Sequence, residues 1–302
     1  MTLGPEATYD AIRHDVAARV VDRDGLVVEG TGALDWLQGQ VSQDLAGLEP
    51  GAAADTLVLS PQGRIDAAAR IWSRNTERFV LEVERGFGSA LEGRLRRFKL
   101  RVEAALARTA LRVVECRGPN AAASRPDGAA VVAWPGLQGW DFLLEDGDVA
   151  PMLPPAGDSA AFEAARIEAG IPLLGRELTD RTIPQEAGTA FVGRVVSFTK
   201  GCYTGQELVA RLDARGSNVA RRLCGALCED GAPAAGDVVE VGGGAVGVLT
   251  SVAWSPGFRA PVALAFAKRS VQLPASAVLA APAGAGRGPV WAELRSLPLL
   301  TG

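Results

Sequence analysis

A single cysteine stands out because of the residues around it. Cys202 lies in the run Lys200-Gly201-Cys202-Tyr203-Thr204-Gly205-Gln206-Glu207. The glycines on either side of the Cys-Tyr-Thr triplet permit a tight turn that exposes the thiol. Because a helix is predicted from Gln206 to Asp213, its dipole acts on the thiol together with the positive charge of Lys200. We therefore expect a lowered thiol pKa and a reactive Cys202, with a buried structural cysteine in a turn as the alternative.

The other cysteines and the single histidine offer little for a metal site. His14 is the only histidine, so neither a histidine-rich metal site nor a histidine-based catalytic triad is expected. Cys224 and Cys228 fall four residues apart on a predicted strand, where they share one face, and Cys116 has no companion nearby. Two ligands without partners do not make a zinc or cluster site, so we predict no metal site.

The composition is that of a globular protein without an electrostatic surface for nucleic acid. Of the 302 residues, 48% are hydrophobic and 22% are charged, with a net charge of −4. The densest basic stretch, 94–99, is interpreted as a solvated helix face. The N-terminus lacks a signal-peptide pattern, no apolar run reaches about 18 residues, and four cysteines are too few for a disulfide framework. We therefore expect a cytoplasmic protein that binds neither nucleic acid directly nor membrane.

The spacing of apolar and turn residues predicts strands and helices in α+β order rather than a regular β-α-β array. After a turn at Asp24-Gly25 and up to residue 169, we predict strands at 26–29, 55–59, 64–72, 78–83, 100–106 and 110–115, helices at 32–45, 88–98 and 158–169, and a hairpin over 131–144. A long irregular stretch, 170–199, leads into the Cys202 run. Strands at 223–228, 237–241, 245–252, 262–266 and 277–281 then predict a small β-barrel.

The Cys202 run resembles the signature of the YgfZ family, folate-dependent factors that maintain iron–sulfur enzymes. That family is similar in fold to the T-protein (aminomethyltransferase) of the glycine cleavage system. Further segments match in order along nearly the whole chain: 37–44, 59–64, 166–172, 183–186 and 247–251. The resemblance implies an α+β fold with two intertwined α/β lobes, over 1–116 and 117–217, and a C-terminal β-barrel over 218–302. It also implies a central channel for the cofactor tetrahydrofolate.

The resemblance further implies roles for individual residues. Cys202 and Lys200 match the cysteine and the lysine of the family signature. Glu168 matches the T-protein glutamate that holds the pterin ring, and a carboxylate suits this task because it accepts two N–H bonds from an aminopyrimidine edge. Arg221 and Arg222 resemble an arginine run at the barrel entrance, where one of them would meet the carboxylate tail of folate. The alternative for Glu168 is an exposed carboxylate at the end of a helix, and the alternative for Arg221 and Arg222 is a solvated arginine pair.

One departure from the T-protein pattern bears on the chemistry. T-proteins carry a pair of aspartates on the strand after the matching hairpin, whereas this chain has Ala67 and Ala68 there. Asp66 lies next to them, but a shift of one residue turns a strand side chain to the opposite face. We therefore do not expect a classical aminomethyltransferase.

The function implied is that of a tetrahydrofolate-binding accessory protein. It would support the assembly or repair of iron–sulfur enzymes, including those that modify tRNA, through a reactive Cys202. Its partners would be folate and iron–sulfur client or assembly proteins. One alternative is a folate-dependent aminomethyltransferase or demethylase, which needs a carboxylate at the position of Ala67 or Ala68. The other is a scaffold that binds no folate.

Overall fold

The computed structural model describes residues 2–229 and 231–300, which form an antiparallel sheet of seven strands, a closed barrel of six strands and six α-helices. The sheet has the order β2-β3-β4-β1-β5-β7-β6, where the strands are β1 (Ala17–Glu29), β2 (Ala53–Leu59), β3 (Ile65–Ser73), β4 (Arg78–Glu84), β5 (Ala105–Arg117), β6 (Ala130–Trp134) and β7 (Leu137–Leu144). The helices are α1 (Pro5–His14), α2 (Ala33–Gln38), α3 (Gly88–Arg97), α4 (Ser159–Ala169), α5 (Thr189–Val195) and α6 (Gln206–Ala214). Short 3-10 turns lie at Ala121–Ser124 and Pro184–Ala187.

The barrel follows the helices in the chain and closes on itself. Its order is β10-β11-β8-β13-β12-β9, where the strands are β8 (Arg221–Cys228), β9 (Val238–Val241), β10 (Gly244–Ser255), β11 (Ala260–Lys268), β12 (Ala275–Ala280) and β13 (Val290–Arg295). The barrel expected from the glycine-rich strands is thus confirmed, although β13 was not among the predicted strands.

The long strands β1 and β5 form the centre of the sheet. All 13 residues of β1 pair with β5. The turn predicted at Asp24-Gly25 is therefore wrong, as is the division of β5 into two strands. A glycine is required inside β1 because a Cβ atom at residue 25 would lie 2.5 Å from Leu111 Cδ1 on β5.

Helix α4 connects the sheet to the barrel through its buried faces. Phe162 belongs to an apolar cluster with Ile12 of α1 and with Ala17 and Leu137 of the sheet. Ile167 packs with barrel residues that include Leu264. The carboxylate of Asp158 caps the helix by accepting a hydrogen bond from the backbone N–H of Ala160 (2.8 Å), so the predicted start of the helix is confirmed. The two halves of the chain are therefore held together by apolar packing on both sides of one helix.

Strands from both predicted lobes lie in the same sheet. Strand β5 pairs with β1 on one side and with β7 on the other, so the expected boundary at 116/117 falls at the end of a central strand. The boundary at 217/218 falls between α6 and β8. The division into domains stays a prediction. No helix in the described ranges is long and apolar enough to cross a membrane.

The basic stretch 94–99 is only partly solvated. Arg94 is 8% exposed, its Nε donates to Asp66 Oδ2 (2.7 Å), and its Nη2 donates to the carbonyl of Leu59 (2.6 Å). The interpretation as a solvated helix face is therefore wrong for Arg94, which joins α3 to the β2–β3 hairpin. The hairpin carries the site described next.

Candidate functional site

Cys202 is exposed, whereas Cys116, Cys224 and Cys228 are buried. Burial raises the pKa of Cys116 and of Cys224 to about 11 and that of Cys228 to about 12, so these thiols stay protonated at neutral pH. Cys224 and Cys228 both contribute to the barrel core, in line with their predicted placement on one face. The described residues include no group of three or more His, Cys, Asp or Glu side chains that could hold a metal ion.

Residues 197–205, which we call the thiol loop, connect α5 to α6 and rest on the β2–β3 hairpin. Two glycines make this contact. Gly205 has φ +82°, and a Cβ atom there would lie 2.4 Å from the carbonyl oxygen of Ser60. A Cβ atom at Gly63 would lie 2.7 Å from Leu208 Cβ on α6. Gly201, on the other side of the cysteine, has no atom within 4 Å of its Cβ position. Of the two glycines that flank the Cys-Tyr-Thr triplet, only Gly205 is therefore required by the fold.

The C-terminal end of the loop is fixed by the first residues of α6. Gln206 Oε1 accepts a hydrogen bond from the backbone N–H of Tyr203 (3.0 Å). The Tyr203 side chain is buried, and burial raises its pKa to about 12. Glu207 is exposed in the first turn of α6. Cys202 therefore projects from a loop whose neighbouring residue is anchored in the core.

Lys200 does not point freely into solvent beside the thiol. Its Nζ donates to three backbone carbonyls, those of Gln38 (2.7 Å), Val41 (2.8 Å) and Gln43 (2.8 Å). Burial lowers the pKa of Lys200 to about 8, and the negative charge of Asp44 opposes this shift. An ammonium has three N–H donors, so these carbonyls account for all of its hydrogen bonds.

The three carbonyls belong to residues 38–43, which we call the clamp segment. The helix predicted over 32–45 ends at Gln38, and this prediction is wrong beyond that residue. The backbone groups of the clamp segment bind the thiol loop instead of continuing the helix. Besides the bonds to Lys200, the carbonyl of Gly39 accepts from Thr204 N (3.1 Å), and that of Ser42 accepts from Ser197 N (3.0 Å).

Side chains of the clamp segment anchor it to β2 and α5. Ser42 Oγ donates to the carbonyl of Val195 (2.7 Å) and accepts from Leu57 N (2.9 Å). Gln43 Nε2 donates to the carbonyl of Arg194 (2.9 Å). The clamp segment therefore connects the thiol loop to β2 and α5.

A cavity of about 820 Å³, the outer cavity, lies between the sheet, α5 and the barrel entrance. Its wall includes the side chain of Gln43 and four charged residues: Asp55, Arg70, Arg194 and Arg222. Three guanidinium groups thus face one carboxylate in a protein whose net charge is −4. This excess of positive charge favours an anionic ligand.

A second cavity of about 310 Å³, the inner cavity, shares Asp55, Arg70 and Arg194 with the outer one. Its remaining charged lining is a network of arginines and acids: Arg19, Arg23, Arg117, Arg166, Arg176, Glu82, Glu84, Glu115, Asp141 and Glu163. Burial raises the pKa of Glu115, but Arg19 and Arg117 outweigh burial and lower it to about 2. For Glu82, in contrast, burial prevails and raises the pKa.

Of Ala67 and Ala68, which the T-protein resemblance sets at the positions of two aspartates, one lies beside these cavities. Ala68 lines the inner cavity, whereas Ala67 packs in the core behind the strand. Asp66 is committed to its ion pair with Arg94, at 2.7 Å, and does not line either cavity. Neither position supplies a carboxylate to the cavity at this point of β3.

The arginines of the cavity differ in how their donors are used. Arg194 Nε lies 3.1 Å from Asp55 Oδ2 and is buried without a hydrogen-bond partner among the described residues. Arg222 donates from Nη2 to the carbonyl of Val271 (2.6 Å) and pairs with no carboxylate in the described chain. Arg221 is engaged elsewhere, because its Nε and Nη2 both donate to Glu186 at 3.0 Å. Of the two arginines singled out in the sequence, only Arg222 faces the cavity.

Glu168 lines neither cavity, although the next residue, Ala169, lines the outer one. Its side chain is fully buried and accepts hydrogen bonds from Tyr9 Oη (2.9 Å), Arg13 Nη2 and Ser255 Oγ. The carboxylate thereby joins α4 to α1 and to β10 of the barrel. A pterin contact at Glu168 would require these bonds to be replaced.

Three cavity residues were not anticipated: Asp55, Arg70 and Arg194. Asp55 and Arg70 are 15 residues apart in the sequence, and Arg194 follows more than 120 residues later, so no local motif joins the three. The one available signal was that Arg70 lies two residues after Ala68 on β3, so that both side chains share a face. The ion pair between Arg70 Nε and Asp55 Oδ1, at 2.8 Å, joins neighbouring strands of the sheet.

Comparison with known proteins shows that the chain is similar in sequence both to YgfZ proteins and to aminomethyltransferases. No family model matches it. The chain is 32% identical over 222 aligned residues to the tRNA-modifying protein YgfZ of Edwardsiella ictaluri, an alignment that covers 63% of this chain and 65% of the relative. The chain thus spans slightly less than two thirds of that relative. It is 27% identical over 301 residues to an aminomethyltransferase of Thermus thermophilus, covering 87% of this chain and 83% of the relative.

The fold is that of a solved aminomethyltransferase. The glycine cleavage system aminomethyltransferase T from Bartonella henselae superposes with a TM-score of 0.77 at 21% identity, covering 99% of this chain and 90% of that one. The T-protein-like fold expected from the sequence is confirmed.

Proposed function

This chain is a relative of the YgfZ proteins and of the T-protein of glycine cleavage, and on that basis we propose that it is a tetrahydrofolate-binding accessory protein. Its task would be to support the assembly or repair of iron–sulfur enzymes, including those that modify tRNA. Folate would bind in the outer cavity, and Cys202 would act at the protein surface on an iron–sulfur client or assembly protein.

The charge of the outer cavity carries this proposal. A folate combines a flat ring system with a tail of carboxylates, and a concave site with few polar groups suits the rings. The guanidinium of Arg194, whose Nε has no hydrogen-bond partner among the described residues, and the charge of Arg222, which pairs with no described carboxylate, suit the carboxylates. Asp55 is the one carboxylate among the charged residues that line this cavity, and it is a second candidate, beside Glu168, for a pterin contact. The residues present therefore fit an anionic folate.

The two parts of the site have separate tasks in this proposal. Cys202 lines neither cavity, so a ligand held by Arg194 does not need to touch the thiol. The thiol is exposed on a loop anchored by Lys200 and Gly205, where a partner protein can reach it. Reduced folate, when bound, supplies one-carbon or redox chemistry, while this chain's own residues bind and orient it.

Arg194→Met is expected to weaken tetrahydrofolate binding about 10- to 100-fold, the usual worth of hydrogen bonds to a charged group. Calorimetric titration of the purified protein measures this. Arg211→Met is the matched control, because Arg211 is exposed on α6 and lines neither cavity. If the unmodified protein shows no binding, the folate proposal is wrong.

Cys202→Ala is expected to leave tetrahydrofolate affinity unchanged and to abolish the contribution of the protein to iron–sulfur enzyme activity in cells. Thr199→Ala, an exposed substitution in the same loop, is the control. A loss of folate affinity in Cys202→Ala would instead mean that the thiol contacts folate. Full enzyme activity in cells that carry Cys202→Ala would overturn the role of the thiol.

A folate-dependent aminomethyltransferase or demethylase is the second candidate. It is favoured by the acids of the inner cavity, among which burial raises the pKa of Glu82 above its ordinary value. Against it stand Ala67 and Ala68, which leave β3 without a carboxylate at the position where T-proteins have two. Turnover well above background in an assay of aminomethyl transfer to tetrahydrofolate would favour this second candidate.

A further inference from the structure

We propose that Lys200 is the positioning residue of the thiol loop and acts as a tethered cation in a site built by three carbonyls of the clamp segment. The inference rests on the proposed function in one respect, namely that Cys202 is the working thiol. It assigns to Lys200 a role different from the direct activation of that thiol by charge.

The hydrogen bonds of Lys200 define the site. Its Nζ lies 2.7–2.8 Å from the carbonyl oxygens of Gln38, Val41 and Gln43. These three acceptors match the three donors of an ammonium, so no N–H remains for the sulfur of Cys202. Carbonyl oxygens that converge on one point replace the hydration shell of a cation, as they do in other carbonyl-lined ion sites.

Few other charged groups act on this ammonium. Asp44, which follows the clamp segment, is the one ionised side chain of the described residues whose charge shifts the pKa of Lys200. The ring of Tyr203 lies 5.3 Å from Nζ and offers its face to the cation. The position of the loop therefore depends mainly on the three carbonyls, with Asp44 and Tyr203 as secondary contacts.

The same segment connects the clamp to the outer cavity. The carbonyl of Gln43 binds Lys200, while its side chain lines the cavity and donates to the carbonyl of Arg194. The ammonium thus fixes the thiol loop to one side of the clamp segment. The other side of this segment lines the outer cavity, where the ligand would bind. This placement gives Cys202 a defined distance from the folate site without direct contact.

Chemical rescue of Lys200→Ala tests the proposal. The substitution leaves the three carbonyls without a cation, so we expect the amide of Thr204, which donates to Gly39, to exchange hydrogen about tenfold faster or more. Adding n-propylammonium, which replaces the missing part of the side chain, should slow this exchange again by several-fold. Tetramethylammonium, which has the same charge and no N–H donor, should restore none. Unchanged exchange in Lys200→Ala, or equal effects of the two cations, would overturn the proposal.

A measurement on the unmodified protein keeps the proposal testable if Lys200→Ala does not fold. The chain has only three lysines, Lys99, Lys200 and Lys268. If the amine of Lys200 were free of the three carbonyls and accessible, it would be acetylated at least as fast as that of Lys268. With all three N–H groups bound, it should instead be acetylated about tenfold more slowly than Lys268, which is exposed and donates to one carbonyl. Acetylation of Lys200 at the rate of Lys268 would rule out the clamp.

Both measurements are made without folate or a client protein. The proposal for Lys200 can therefore be refuted while folate binding is confirmed, and folate binding can be refuted while the proposal for Lys200 is confirmed.

Discussion

Arg70→Met is expected to lower the free energy of unfolding by about 3 kcal/mol, the lower end of the usual cost of breaking a buried ion pair. Arg70 Nε donates to Asp55 Oδ1 at 2.8 Å, and its Nη1 donates to Asp141. Removal of this guanidinium leaves two largely buried carboxylates with less compensation. The cost stays at the lower end because Arg117 still faces Asp141, and Arg194 still faces Asp55.

The same substitution has an expected dependence on pH. Burial raises the pKa of Asp55, but Arg70 and Arg194 outweigh burial and hold it below the ordinary value. A carboxyl group with a lowered pKa contributes stability that is present above its unfolded pKa and is lost as pH falls through its folded pKa. The difference between the unmodified protein and Arg70→Met should therefore be largest near neutral pH and shrink in acid.

Urea denaturation at neutral pH and in acid measures both effects. Arg85→Met is the matched control, because Arg85 also pairs with an aspartate, Asp22 at 3.1 Å, while both side chains are exposed. An exposed pair of this kind contributes little to stability. Equal losses in the two variants, or a loss in Arg70→Met that grows in acid, would contradict the buried network.

Gly205→Ala is expected to displace the thiol loop and to destabilise the protein by roughly 1–2 kcal/mol or more. The lower bound is the cost of a left-handed conformation, here φ +82°, for a residue with a Cβ atom. The new Cβ would also lie 2.4 Å from the carbonyl oxygen of Ser60 and 2.7 Å from Leu59 Cβ. Because these neighbours belong to the β2–β3 hairpin, relief requires the loop and the hairpin to separate.

Gly201→Ala is the control within the same loop. No atom lies within 4 Å of its Cβ position, and its φ is outside the left-handed region, so we expect a change within about 0.5 kcal/mol. Thermal unfolding and the rate of proteolysis within 197–205 distinguish the two variants. If both glycine variants behave alike, the contact between the loop and the hairpin does not fix the loop.

The clamp segment illustrates what a local pattern can and cannot predict. The helical spacing of Leu34, Leu37, Val41 and Leu45 indicated one apolar face; the last three are buried, and Leu34 is partly buried against the same core. It wrongly indicated a helix across them, because the carbonyls of this segment are taken by Lys200, about 160 residues further along the chain. Periodicity reports which side chains are buried, but it does not report which partners the backbone finds.

The candidate site was predictable to a different extent in its two parts. The Cys202 run is contiguous, so its loop and the helix that follows could be read from sequence. The charged residues of the outer cavity come from β2, β3, α5 and β8, and their combination became apparent only when these elements were placed together. Glu168, which was matched by motif, is bound to Tyr9, Arg13 and Ser255, and its contact with a pterin stays a prediction.

The clamp segment also has a consequence for genetics. Residues 38–43 form part of the cavity wall through Gln43 and hold the thiol loop through their carbonyls. Alleles that change this segment should therefore be pleiotropic and impair together the two proposed activities, folate binding and the action of the thiol on a partner protein. Separation-of-function alleles should come from outside it, at Arg222 for the ligand and at Cys202 for the partner protein.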